Sequence, residues 1–166
     1  MTLNPYNTVL TPCIGVCSTG IGDSVCRGCK RFEHEVIQWN GYTQSQKQSI
    51  DNRLSAQLSN VVSQRLLIVD VELLESQLKS QQIRYAEYRD PYCWLYELLR
   101  AGATQITASD DFGFKPRSAY QNTPLTDIRD IIDMEFYVLS VAHYERYILA
   151  NSARANCVSE AVTSNE

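Results

Sequence analysis

At 166 residues, 44% of them hydrophobic, and with a formal net charge of −4, the chain is long enough for one ordinary core carrying a small appendage. Residues 1–60 carry five Lys/Arg against four Asp/Glu and residues 61–166 ten against fifteen, so neither part has the clustered positive charge of a nucleic-acid binder. The longest apolar run, Leu66 to Val69, falls far short of the roughly 20 residues needed to cross a bilayer. Met1 to Leu10 also lacks the charged and apolar regions of a secretory signal, so the sequence predicts a cytoplasmic protein without membrane spans.

Residues 1–12, with Pro5 and Pro12 and no helical period, read as an extended lead-in. The segment that follows is Cys13-x3-Cys17-x8-Cys26-x2-Cys29. Four convergent thiolates complete the tetrahedral ligand set of one metal centre, so Cys13, Cys17, Cys26 and Cys29 are the candidate metal ligands. A tight knuckle at Cys26-Arg27-Gly28-Cys29 aims two sulfurs at one ion, with Gly28 expected to supply an unusual backbone angle. In a reducing compartment such spacing favours metal ligation over a disulfide or free thiols. A segment this short gains too little from apolar burial to fold unaided; metal would supply the difference.

After Cys29, Phe32, Val36 and Trp39 recur at helical spacing and predict a short helix that covers the site, ended by Asn40-Gly41. Thr43-x-x-Gln46 is a capping box that starts a helix at Gln44, with the stripe Ile50, Leu54, Leu58 and Val61. Leu67, Val71, Leu74 and Leu78 keep the same period. Leu66–Val69 is therefore expected to continue as helix rather than form a strand, and Asp70 is a candidate cap. Asp90-Pro91 opens another helix with the buried stripe Leu95, Leu98 and Leu99, and Gly102 stops it. Residues 103–122 read as a long irregular segment. Thr123-Pro124 starts a last helix, carrying Leu125, Ile128, Ile132, Phe136, Leu139 and His143 on one face to about Ala150.

Other chemistry-bearing residues read as scaffold. His34 is expected on an exposed helix face, Cys93 beside Trp94 as a small buried hydrophobe, and His143 as a packed core histidine. Cys157 has no neighbouring cysteine. Asp111-Phe112-Gly113 has none of the companion motifs of a kinase. Asp127, Asp130, Asp133 and Glu135 read as a solvated helix face. No catalytic residue set emerges.

The elements Thr11-Pro12-Cys13-Ile14-Gly15-Val16-Cys17, Cys26-Arg27-Gly28-Cys29-Lys30-Arg31 and Glu35-Val36-x-x-Trp39 resemble the small bacterial domain-of-unknown-function family DUF 1289, over about residues 11–54. Its members are described as predicted iron-sulfur proteins, so the resemblance implies an iron-sulfur cluster. Four thiolates hold Zn2+ equally well, and the spacing matches neither common ferredoxin pattern. Either centre has a net charge near −2 that Arg27, Lys30 and Arg31 would offset.

The reading is therefore a mainly α protein. A small irregular four-cysteine metal-binding module with its covering helix occupies residues 1–42, a helical domain of about four to five helices occupies 43–150, and a flexible tail 151–166. A closed ligand set points to a non-enzymatic adaptor or regulatory protein acting through contacts with another protein. The alternative is an iron-sulfur electron-transfer or redox-sensing protein.

Overall fold

The structure, a computed structural model, describes residues 8–152. Among them are five α-helices and one two-stranded sheet: α1 Glu33–Ile37, α2 Gln44–Ser63, β1 Leu66–Ile68, α3 Val71–Ser80, α4 Pro91–Gly102, β2 Phe114–Pro116 and α5 Leu125–Tyr144. The fold is mainly α, as expected. The tail beyond Ser152, Cys157 and the first seven residues of the lead-in lie outside the described residues. No described helix is long and apolar enough to cross a membrane.

The chain divides into two compact units, one of Met1–Ile50 with Tyr137–Glu166 and one of Asp51–Phe136. In the first, the cysteine segment closes on itself through a single antiparallel bridge between Val25 and Phe32. The covering helix is shorter than the Phe32–Trp39 spacing predicts. Phe32 stands just before α1, its amide donating to Glu35 Oε2 at 2.8 Å, and Trp39 opens a separate 3-10 turn, Trp39–Gly41. Both aromatic residues are buried, while Val36 is half-buried. The box at Thr43 forms as expected: Gln46 N–H donates to Thr43 Oγ1 at 3.3 Å and Thr43 N–H to Gln46 Oε1 at 2.9 Å. At the other end of the unit, α5 passes into a π-helical turn, Glu145–Leu149. Phe32 meets the rings of His34, His143 and Tyr144 there, at centroid distances of 5.8, 6.0 and 5.2 Å.

The second unit holds a core in which Leu58, Val61, Leu74, Leu78, Leu95 and Ile132 are among the buried side chains. Full burial of each contributes about 1.5–3 kcal/mol. The expected helix through Leu66–Val69 is replaced by β1, which pairs antiparallel with β2 in the register Leu66 to Pro116, Leu67 to Lys115 and Ile68 to Phe114. Its partner is only three residues long and sits in the segment read as irregular, so no alternating pattern announced it. That segment is ordered around 3-10 turns at Ser109–Phe112 and Ser118–Tyr120. Gly113 docks it on the start of α3: its carbonyl accepts from Val69 and Asp70 N–H at 2.8 and 3.0 Å, its φ is +75°, and a Cβ there would stand 2.2 Å from the Asp70 carbonyl oxygen. Asp70 and Asp90 cap α3 and α4 as anticipated, accepting from Leu73 N–H and Tyr92 N–H, both at 2.9 Å.

Candidate metal centre

The knuckle is built by backbone pairing around the second cysteine pair. Lys30 N–H donates to Cys26 O and Cys26 N–H to Arg31 O, both at 2.8 Å, closing a tight reversal over Arg27 and Gly28. The left-handed residue that this turn needs is Lys30, with φ +61°, and not Gly28 as the sequence suggested. Gly28 serves a different purpose. A Cβ at that position would stand 2.5 Å from the Val16 carbonyl oxygen and 3.0 Å from Ile14 Cγ1, so its bare α-carbon lets the loop of the first pair lie against the knuckle.

Ser18 ties the same two halves together. It is buried, and its Oγ accepts from Arg27 N–H at 2.9 Å. Around the Cys26 sulfur the two halves also converge electrostatically. Burial works against the thiolate, but hydrogen bonding by the backbones of Cys29, Ser18 and Gly28 outweighs it and brings the Cys26 pKa down to about 7, while the thiol itself reaches the Val16 carbonyl at 3.6 Å. Burial pushes the neighbouring Cys29 thiol up, against the opposing pull of Arg31.

Cys26 and Cys29 are buried, whereas Cys13 and Cys17 are exposed; all are free thiols. Cys13 Sγ accepts from Gly15 N–H at 3.5 Å, and Cys17 Sγ lies 3.1 Å from Thr19 Oγ1. The structure thus brings the second pair together and holds the first pair on the loop beside it. Among the described residues it gathers no group of three or more His, Cys, Asp or Glu side chains that could hold a metal ion. The donor chemistry, four thiols with the two pairs' loops held side by side at Gly28, is of the kind that a thiolate-bound metal takes.

Arg31 is the functional residue whose position the sequence concealed. Its side chain is buried, its Nε–H donates to Cys29 Sγ at 3.3 Å, and its guanidinium lies over the Trp39 ring at 4.7 Å from the centroid. No spacing rule announced it, because the left-handed Lys30 between Cys29 and Arg31 breaks the alternation of an extended strand. Arg27 is exposed instead, paired with Asp23 at 2.9 Å and stacked on Tyr137 at 4.9 Å.

The remaining candidates have structural partners. Cys93 is buried, its thiol reaches the Ser55 carbonyl at 3.5 Å, and burial pushes its pKa up to about 12. The ring of His143 lies between Phe32 and Tyr147. Asp133 accepts from Tyr96 OH at 2.9 Å, Glu135 pairs with Arg65, and Asp130 pairs with Arg129 at 2.8 Å. Asp127, Asp130 and Asp133 are nonetheless exposed and Glu135 half-buried, so the acidic side of α5 is the solvated face that the sequence suggests, with local partners.

Residues 11–58, a segment that runs from the lead-in threonine into α2, match the family described as "Protein of unknown function (DUF1289)", the family that the cysteine and tryptophan elements resemble. No curated protein matches the chain, and no solved structure matches it.

Proposed function

We propose that Cys13, Cys17, Cys26 and Cys29 hold one metal centre, and that the protein is a non-enzymatic adaptor or regulator of the cytoplasm that acts through contacts with another protein. The observation that carries this reading is the seating of the first cysteine pair's loop on the knuckle, with Gly28 against the Val16 carbonyl and Arg27 N–H donating to Ser18 Oγ at 2.9 Å, which sets the two pairs side by side. Backbone hydrogen bonding also brings the Cys26 thiol pKa down to about 7, and a thiolate is the form that ligates metal. Contact with a partner is supported by Ile14 and Val16, which stand 43% and 66% exposed on the loop between the first two cysteines.

A second reading, an iron-sulfur protein in electron transfer or redox sensing, is favoured by the exposure of Cys13 and Cys17. A cluster ligated there would lie within reach of a docked redox partner.

Metal analysis and absorption spectra of the full chain, purified without oxygen, test both. A colourless protein retaining zinc supports the adaptor. Iron and sulfide with absorption near about 400 nm support the redox reading. Protein that carries neither, and takes up neither when reconstituted, overturns both.

A further inference from the structure

Arg31 is 3% exposed, yet among the described residues it forms no ion pair with a carboxylate, and the acceptor its side chain reaches is the sulfur of Cys29. Its Nη1 is buried with no hydrogen-bond partner. A buried guanidinium demands a compensating anion, and a stacked tryptophan ring offers only a weak one. Cys29 is itself only 7% exposed, so this thiol and this cation are enclosed together. A protonated thiol leaves the cation uncompensated; a metal-bound thiolate balances it.

We propose that Arg31 is the charge-balancing positioning residue of the centre: it holds the Cys29 sulfur by a charge-assisted hydrogen bond, and its buried charge makes the anionic, metal-loaded state of the cysteine module the stable one. The proposal rests on the metal-centre reading above. It assigns to one residue the coupling between metal and fold. Folding without metal would enclose a cation opposite a neutral thiol, and loading converts that liability into a paired contact. Trp39 contributes by fixing the plane of the guanidinium, so that Nε rather than Nη faces the sulfur.

The test compares full-length wild type with Arg31→Met, Arg31→Gln and Arg31→Lys, following metal per chain as purified and its rate of release to excess EDTA. Arg31→Met is expected to release metal roughly 10–100-fold faster, the usual effect of removing a partner that orients a metal ligand. Arg31→Lys, which keeps the cation without the planar fork, falls between. The second readout is the Trp39 fluorescence transition of protein loaded to equal metal content, which Arg31→Met lowers, whereas in EDTA-stripped protein, whose cysteine module is unfolded, wild type and variant melt alike. A purely structural arginine would lower the melting of stripped and loaded protein alike and leave the release rate unchanged, which overturns the proposal. Should Arg31→Met fail to fold at all, Arg31→Gln against Arg31→Lys decides: faster release from the neutral variant supports charge balance, and equal rates overturn it. Wild type that carries no metal overturns both this proposal and the metal reading, whereas wild type and Arg31→Met that hold it equally overturn this proposal alone.

Discussion

Gly28 and Val16 approach so closely that a single added methyl group would stand 2.5 Å from the Val16 carbonyl oxygen. The knuckle carrying Cys26 and Cys29 is thereby in contact with the loop between Cys13 and Cys17. Gly28→Ala forces a backbone atom to move, a change of the overpacking kind that costs about 1–3 kcal/mol. The expected outcome is a lowered melting temperature of the first unit together with reduced metal per chain. Wild-type metal content and melting in this variant would show that the close approach is dispensable.

Cys26→Ser removes a buried thiol whose pKa is brought down to about 7 and which is a proposed metal ligand. Structural zinc contributes on the order of 10–16 kcal/mol of apparent free energy in finger peptides, far more than so small a segment recovers from burying Val25, Phe32 and Trp39. The first 40 or so residues are expected to unfold while the helical core around Trp94 persists. The two tryptophans separate the events, since Trp39 belongs to the first unit and Trp94 to the second. Fluorescence of single-tryptophan variants should lose the Trp39 transition and keep that of Trp94. Retention of both transitions and of metal would refute the prediction.

Local signals of the helices were legible because they are local. Thr43 with Gln46, Asp70, and Asp90 with Pro91 each act on amides within one turn, so the sequence neighbours are also the spatial ones. β1 was not legible, because Leu66–Ile68 carries the same residues a helix would use and its partner lies far along the chain at Phe114–Pro116. At the candidate site the four cysteines could be read from spacing alone. The contacts that join them could not: Gly28 was read for a backbone angle that Lys30 adopts, and Arg31 was read as a charge without any hint that it is buried. Both depend on what the loop of the first pair and the ring of Trp39 cover, which is tertiary information.

Two groups on α4 predict a stability that falls in alkali. Burial raises the Cys93 thiol from 9.0 to about 12. Burial, with the charge and hydrogen bond of Asp133, also holds the Tyr96 hydroxyl above its usual range. Above the ordinary thiol pKa the unfolded chain deprotonates Cys93 and the folded chain does not, so the unfolded state binds fewer protons and stability declines with rising pH. The contribution is complete below about pH 8.5 and is lost progressively between there and about pH 12. The denaturant midpoint read from Trp94 should drop between these limits, and Cys93→Ala should flatten that slope while Tyr96 retains its share. Identical slopes in wild type and variant would contradict the burial assigned to this thiol. In the folded protein at pH 8, Cys93 should also resist iodoacetamide until denaturant is added.

Asp51 and Arg89 form an enclosed ion pair in the second unit. The carboxylate is 1% exposed, Arg89 Nε–H donates to its Oδ2 at 3.2 Å, and Nη2 reaches Oδ1. Burial works against the charge of Arg89, yet the hydrogen bonds and charge of Asp51 outweigh it and hold the guanidinium pKa above its usual range. Removing one partner leaves the other charge enclosed, which costs about 3–5 kcal/mol, whereas replacing both with apolar residues of similar volume is often neutral. Asp51→Ala and Arg89→Ala should each lower the unfolding free energy, read from Trp94 in urea, by that amount. The double variant Asp51→Leu/Arg89→Met should recover most of the loss, giving a coupling well beyond the additive limit of about 0.5 kcal/mol. Additive single effects would mean that the two charges are solvated independently, and would place the stability of this unit in its leucine core alone.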